Sequence, residues 1–426
     1  MQKPIIALSA LPSIWKWIPN AFLKKLKSSR HRAAICSKRS ERVIYADNAA
    51  TTRISDSVLK KLLPYLQEQY GNASSQYSLG AKAKHAIEQA RKQVAAAIGA
   101  TSSDITFTSS GSEANSWILR SIADNYRGKS IHIITSAIEH HSVLNACRAL
   151  ELLGVEVTYL PVESNGRVSI EDVKSAVRPN TKLVTIMLAN NEIGTIQPIA
   201  EIGEFLHKRD IIFHTDAVQA VGHIPVDVGE LKVDFLTASA HKFNGAKGTG
   251  ILYKQSMIKL SPLVFGGEQE RGLRAGTENV AGIVAAGYAI EESIAKMSET
   301  AKRLKAMVDT TVNAIQTRIP TVRVNGNSEK RLPGTVNLSF DGASGESLMH
   351  LLDLKGICVS TSSACTSGSD KPSHVLTALG LTEQQAKSAI RISYGRYNDM
   401  NEVESIVETI CNAYNKIIAV NLYMKK

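Results

Sequence analysis

The sequence predicts an α/β fold, with a large, mostly parallel sheet domain followed by a smaller α+β domain, and three observations carry that reading. Short apolar, β-rich runs alternate with helix-length segments from Val43 onward, and polar residues follow each run. A helical stretch over residues 280–315 then separates this alternation from a C-terminal part of different pattern. The expected organisation is a basic N-terminal extension over 1–42, a large domain over 43–300 and a small C-terminal domain over 301–426.

Taken in order, residues 131–135, 155–160, 183–188, 211–214 and 235–238 read as buried strands. In open α/β sheets the ligand crevice lies beyond the carboxyl ends of the strands, so His140, Asn191, Asp216 and His241 are expected to converge there. Beyond the linking helix, residues 335–340 read as a strand and 345–354 as a helix, and residues 361–371 form a Ser/Thr/Gly-rich loop.

The 426 residues carry a formal net charge of +11, a balance that in other chains marks nucleic-acid or membrane-surface partners. Here its distribution argues against both. Ten Lys or Arg residues stand in 1–42 against the single acid Glu41, which leaves the remaining chain near neutral. The extension joins an apolar stretch, interrupted by Pro12, to a basic, Ser-containing stretch, the composition of an organellar targeting peptide. A mitochondrial or related organellar matrix is therefore expected, with a cytoplasmic enzyme bearing a loosely attached extension as the alternative. Pro4, Pro12 and Pro19 interrupt any long amphipathic helix in it. No run reaches the ~18 apolar residues of a membrane span, so no membrane domain is expected. Five scattered cysteines (Cys36, Cys147, Cys358, Cys365, Cys411) suggest neither a disulfide framework nor a metal cluster, and fit a reducing compartment.

Three segments carry chemistry. Ser239-Ala240-His241-Lys242-Phe243 follows a strand and precedes Gly245, Gly248 and Gly250. A lysine there suits a Schiff base, which needs an amine held close to its neutral form, although a surface lysine in a Gly-rich turn would look the same. Phe213-His214-Thr215-Asp216-Ala217-Val218-Gln219 puts a carboxylate at a strand end, where it can pair with a protonated pyridine nitrogen, and Gln219 can bond a phenolic oxygen. Thr108-Ser109-Ser110-Gly111-Ser112-Glu113-Ala114-Asn115 opens a helix with small and hydroxyl residues, offering backbone N–H groups to a phosphate. A buried structural Asp and a plain helix cap are the alternatives for the last two. Together, their order and spacing are far more specific than any one of them.

With these segments, the chain from about Tyr45 to its end resembles the cysteine desulfurases of the NifS/IscS type, in the class V aminotransferase family of fold-type I pyridoxal-phosphate enzymes. Further matching segments are Tyr45-Ala46-Asp47-Asn48-Ala49-Ala50-Thr51-Thr52, Glu139-His140-His141, Asn190-Asn191-Glu192-Ile193-Gly194, Arg274-Ala275-Gly276-Thr277, Ser363-Ala364-Cys365-Thr366-Ser367 and Arg391-Ile392-Ser393-Tyr394-Gly395-Arg396.

The resemblance implies that Lys242 forms the Schiff base with pyridoxal 5'-phosphate and moves the proton of the substrate Cα. It implies that His140 stacks on the ring and assists proton transfer, and that Asp216 pairs with the ring nitrogen. Asn191 and Gln219 would contact the oxygen side of the ring, Asn191 also touching substrate. Gly111, Ser112, Ser239 and His241 would hold the phosphate, joined by Thr277 from the other subunit of a homodimer. Arg391 would take the carboxylate of L-cysteine, a role suited to its planar donors. Cys365 would accept sulfur as a persulfide and pass it to an iron–sulfur scaffold protein, with small accessory proteins and tRNA thiolation as further possibilities carried by the family. The Ser/Thr/Gly loop suits a thiolate that must approach the substrate and then turn to an acceptor. Cys358 reads as core packing and His141 as structural.

The chain departs from the family pattern in a few places. Ser362 stands where glycine is usual, Ser110 where many members have Gly, and Ser112 where many have Thr. Ser112 keeps the hydroxyl, whereas Ser110 could stiffen a turn that needs unusual backbone angles. Competing readings are another class V enzyme (an aminotransferase or a selenocysteine lyase) and a catalytically silent scaffold for cluster assembly.

Overall fold

The apolar runs fold as a seven-stranded sheet in the computed structural model, which describes residues 43–361 and 371–424. A two-residue strand β1 (Ile44–Tyr45) comes first and lies outside that sheet. The sheet is built from β2 (Ile105–Thr108), β3 (His132–Ser136), β4 (Glu156–Leu160), β5 (Thr181–Thr185), β6 (Ile212–Asp216), β7 (Phe235–Ser239) and β8 (Gly250–Lys254). Its spatial order is β2-β8-β7-β6-β5-β3-β4, and only the pairings of β8 with β2 and β7 are antiparallel.

All five strands expected between residues 131 and 238 are present, with ends displaced by no more than three residues. The largest shift is at residues 183–188: β5 runs from Thr181 to Thr185, although Ile186 N and Leu188 N, beyond its end, still donate to His214 O and Asp216 O of β6. Successive side chains feed opposite cores, as strand geometry requires. Ile134, Val184, Leu236 and Ile251 join one apolar cluster, while Ile133, Leu183, Phe235 and Leu252 join the other. Burial on both faces explains why these strands read as continuous apolar runs.

Helix α1 (Ser78–Ala97) packs on the first face, and α2 (Gly111–Asn125) and α3 (His141–Glu151) on the second. The expected helical stretch over 280–315 is two helices, α4 (Val280–Ala295) and α5 (Met297–Arg318), broken at Lys296 with φ −106° and ψ 3°. Helix α4 buries Ile290 in the first core, whereas Leu304 and Met307 of α5 already belong to a separate core.

That separate core lies under an antiparallel sheet. Its strands are β9 (Arg323–Asn325), β10 (Thr335–Ser339), β12 (Ser360–Thr361) and β13 (Ala389–Ser393), in the order β12-β13-β10-β9. Strand β11 (Ile357–Cys358) pairs instead with β1, in parallel. Helices α6 (Gly345–Asp353) and α7 (Asn401–Met424) complete this part. The expected strand and helix over 335–340 and 345–354 are thus β10 and α6. Ala46 packs into the same core, so the start of the described chain is built into the C-terminal part.

Cys358 departs from its expected role. Strand alternation sends Ile357 into the core and leaves Cys358 half-buried on the opposite face. His141, in contrast, stacks near His374, ring centroids 4.7 Å apart, in keeping with a structural role. Among the described residues, no helix is long and apolar enough to cross a membrane.

Candidate active site

The carboxyl ends of β2, β3, β5, β6 and β7 open on one cavity of ≈ 320 Å³. Its wall includes Gly111, Ser112, His140, Asn191, Asp216, Gln219, Ser239, His241, Lys242 and Arg391. Ten of the twelve residues singled out from sequence therefore meet in one place. Thr277 lines a different, smaller pocket. Cys365 lies outside the described residues.

Asp216 ends β6 and is held from two sides. One carboxylate oxygen accepts from Val218 N at 3.0 Å, and the other from Asn115 Nδ2 at 2.7 Å. Asn115 also donates to Ser142 Oγ at 2.9 Å, while its own Oδ1 is buried without a partner among the described residues. His140 caps α3, and its Nδ1 accepts from Ser142 N at 3.2 Å. Desolvation by burial, and then Lys242 and His141, lower the His140 pKa against the opposing pull of Asp216. The neutral ring with its proton on Nε2 is the form this geometry selects.

Lys242 follows β7 in a single 3₁₀ turn, Ala240–Lys242. Its Nζ donates to Ala49 O at 2.6 Å and Ala50 O at 2.8 Å, and Gln219 Nε2 donates to the same Ala49 carbonyl at 2.9 Å. The segment that follows β1 therefore reaches across the sheet to hold the amine. His241 pairs Nδ1 with Thr51 Oγ1 at 3.0 Å, and burial, with Lys242 and Lys247, pushes its imidazole down to about 4.

At the other end, α2 begins at Gly111, and Ser110 Oγ accepts from Glu113 N at 3.1 Å as its cap. Ser110 has φ −168° and ψ 164°, extended backbone open to any residue, so serine there introduces no strain. The position that needs glycine is Gly111: a Cβ there would lie 2.7 Å from Val218 Cγ2. Glu113 turns outward, accepting from Arg274 Nε at 2.9 Å, which ties the Arg274 to Thr277 segment to the start of this helix.

Arg391 comes from β13, across from the large sheet. Its Nη2 donates to Asp47 Oδ1 at 2.6 Å and its Nη1 to Asn191 O at 3.0 Å. Behind the cavity, Glu139 is fully buried and accepts from Ser136 Oγ at 2.6 Å and Met187 N at 2.9 Å, and burial pushes its pKa up to about 8. Sequence reasoning passed over Ala49, Ala50, Asn115, Ser142, Met187 and Val218 as wall residues. Ala49, Ala50, Asn115 and Val218 stood inside quoted motifs; Ser142 and Met187 carry no sequence signal of their own.

This donor set fits pyridoxal phosphate. A carboxylate at a strand end suits its pyridinium nitrogen, and an imidazole and a secured lysine amine lie alongside. The glycine-opened helix start faces the cavity where a phosphate is favoured. Asn115, which holds Asp216, keeps its Oδ1 buried without a partner among the described residues, and Gly111 lets the helix start close against Val218, where a Cβ would not fit.

Known proteins resemble this chain along most of its length. Residues 44–406 match the class-V aminotransferase family. A protein of Methanosarcina thermophila named cysteine desulfurase IscS is 47% identical over 376 residues, covering 88% of this chain and 93% of its own. A solved NifS-like protein superposes with a TM-score of 0.83 at 38% identity, covering 88% of this chain and 100% of its own. A structure described as SspA in complex with cysteine does so with a TM-score of 0.74 at 37% identity, covering 83% and 99%. The chain belongs to the class-V aminotransferase family and, within it, to the cysteine desulfurases of the NifS/IscS type, fold-type I enzymes that depend on pyridoxal phosphate.

Proposed function

We propose that this chain converts L-cysteine to L-alanine and holds the released sulfur as a persulfide on Cys365. The observation that carries the reading is the meeting of Lys242, Asp216, His140 and Arg391 on one cavity, from four separate parts of the chain. Bound there, pyridoxal phosphate supplies an electron sink for charge developing at the substrate Cα.

The residues divide the remaining work. Arg391 takes the substrate carboxylate and Asn191 flanks it. Lys242 carries the cofactor and then moves the Cα proton, with His140 as neutral relay. Asp216 would pair with the cofactor's ring nitrogen and favour its protonated form, and Gln219 would bond its ring oxygen. Gly111, Ser112, Ser239 and His241 would hold the phosphate, joined by Thr277 of a second copy. The Cys365 thiolate attacks the substrate sulfur: the S–S bond forms as the Cβ–S bond breaks, and the bonding pair passes to Cβ, which takes a proton to become the alanine methyl group.

A homodimer is part of the proposal, supported by exposed Val264 and Phe265, near Thr277 in sequence, which offer apolar surface for a second copy. The acceptor is proposed to be an iron–sulfur scaffold protein, with tRNA thiolation a further outlet and small accessory proteins as additional partners. For residues 1–42 the proposal is an organellar address, tested by imaging a reporter fused to them.

Incubation of purified protein with L-cysteine and a thiol reductant tests the activity. Alanine and sulfide in equal amounts are expected. Keto-acid production would replace the proposal with transamination, and a colourless, inactive protein with a scaffold role.

A further inference from the structure

Four residues after β1 do two jobs at once. Ala49 and Ala50 offer their carbonyls to Lys242 Nζ, and Asp47, two residues earlier, ion-pairs with Arg391 at 2.6 Å. The strap is itself fixed to β13: Asp47 bridges to Ser393, Asn48 N donates to Ser393 O at 3.0 Å, and Ala49 N donates to Ser393 Oγ at 2.9 Å. Asp47 is absent from the cavity wall, while Arg391 is part of it.

The Arg391 side chain is only 5% exposed, and Asp47 is its one ion-pair partner among the described residues. A guanidinium so buried needs a counter-charge, and one gripped on both terminal nitrogens cannot rotate away from a ligand. Asp47 and Asn191 O each take one N–H, and Nε is buried without a partner. The group is thus aimed rather than saturated, with N–H bonds of both terminal nitrogens left over.

We infer that Asp47 is a positioning residue for substrate recognition: it fixes and partly neutralises Arg391, so that the guanidinium grips an α-carboxylate in the orientation set by the same strap that holds Lys242. This rests on the reading of Arg391 as the carboxylate-binding group. Asp47 touches neither substrate nor cofactor and acts through Arg391, so its loss shows in substrate affinity before it shows in turnover at saturation.

The test uses the cofactor-loaded enzyme and four variants: Asp47→Asn, Asp47→Glu, Arg391→Ala and Asp47→Asn with Arg391→Ala. Asp47→Asn is expected to raise KM for L-cysteine, and the Kd of the product L-alanine read from the cofactor's visible spectrum, by about tenfold or more. Its kcat should change by less than about threefold, and Asp47→Glu should recover much of the affinity. In the Arg391→Ala background, Asp47→Asn should add nothing to KM. An Asp47→Asn enzyme with unchanged KM, or one whose KM effect persists undiminished without Arg391, overturns the inference. If Arg391→Ala itself leaves KM unchanged, the carboxylate reading fails, and that result is separate from either of these. Should Asp47→Asn fold poorly, the Asp47→Glu enzyme decides: affinity no closer to wild type than that of Arg391→Ala counts against Asp47.

Discussion

Ser373 Oγ donates to the buried Glu192 at 2.6 Å, joining the chain after the cysteine-bearing segment to the Asn190-Asn191-Glu192 motif, whose Asn191 lines the site. The same hydroxyl accepts from Leu376 N as the cap of the short helix His374–Ala378. Ser373→Ala removes both bonds. It is expected to cost about 1–3 kcal/mol, measured by denaturant unfolding. Persulfide formation should slow while cofactor absorbance stays, because Ser373 fixes one root of the segment carrying Cys365.

Gly111 answers a steric demand. Gly111→Ala would push a methyl group against Val218 and is expected to cost about 1–3 kcal/mol and to weaken cofactor binding, measured by equilibrium titration with pyridoxal phosphate. Val218→Ala in the same chain should restore most of the loss.

Glu139 sets a pH dependence. Burial raises its folded pKa to about 8, above the ordinary glutamate value, so between about pH 4.5 and 8 the folded chain binds more protons at this site than the unfolded one. Its contribution to stability is present at low pH and lost as pH rises through that window. Glu139→Gln, which cannot ionise, should therefore gain stability relative to wild type from pH 5 to pH 8, by a few kcal/mol at most, read from urea midpoints at each pH.

For Cys365→Ser the expected outcome is a coloured, cofactor-loaded enzyme that still changes its spectrum with L-cysteine and carries no persulfide. Mass spectrometry of the peptide spanning residue 365 measures it, and normal sulfur delivery by this variant would remove Cys365 from the mechanism.

Deleting residues 1–42 should leave activity and unfolding behaviour unchanged, since every wall residue of the cavity lies beyond them. Loss of folding on deletion would make the extension structural.

Sequence alone determined the strand series, because burial on both faces writes itself as unbroken apolar runs, and it singled out Lys242, Asp216 and His140 as candidates, because each ends or follows such a run. The site residues supplied by loops beyond strands were legible for the same reason. What only tertiary structure decided are relations between distant parts: Asp47 with Arg391, 344 residues apart, the Ala49 and Ala50 carbonyls under Lys242, and Glu192 with Ser373. Cys358 facing away from the core and Ser110 in ordinary extended backbone belong with these. Local pattern records how a residue serves its own strand or helix; a carbonyl or carboxylate that serves a residue hundreds of positions away leaves no periodicity behind, and only the packed chain brings the two together.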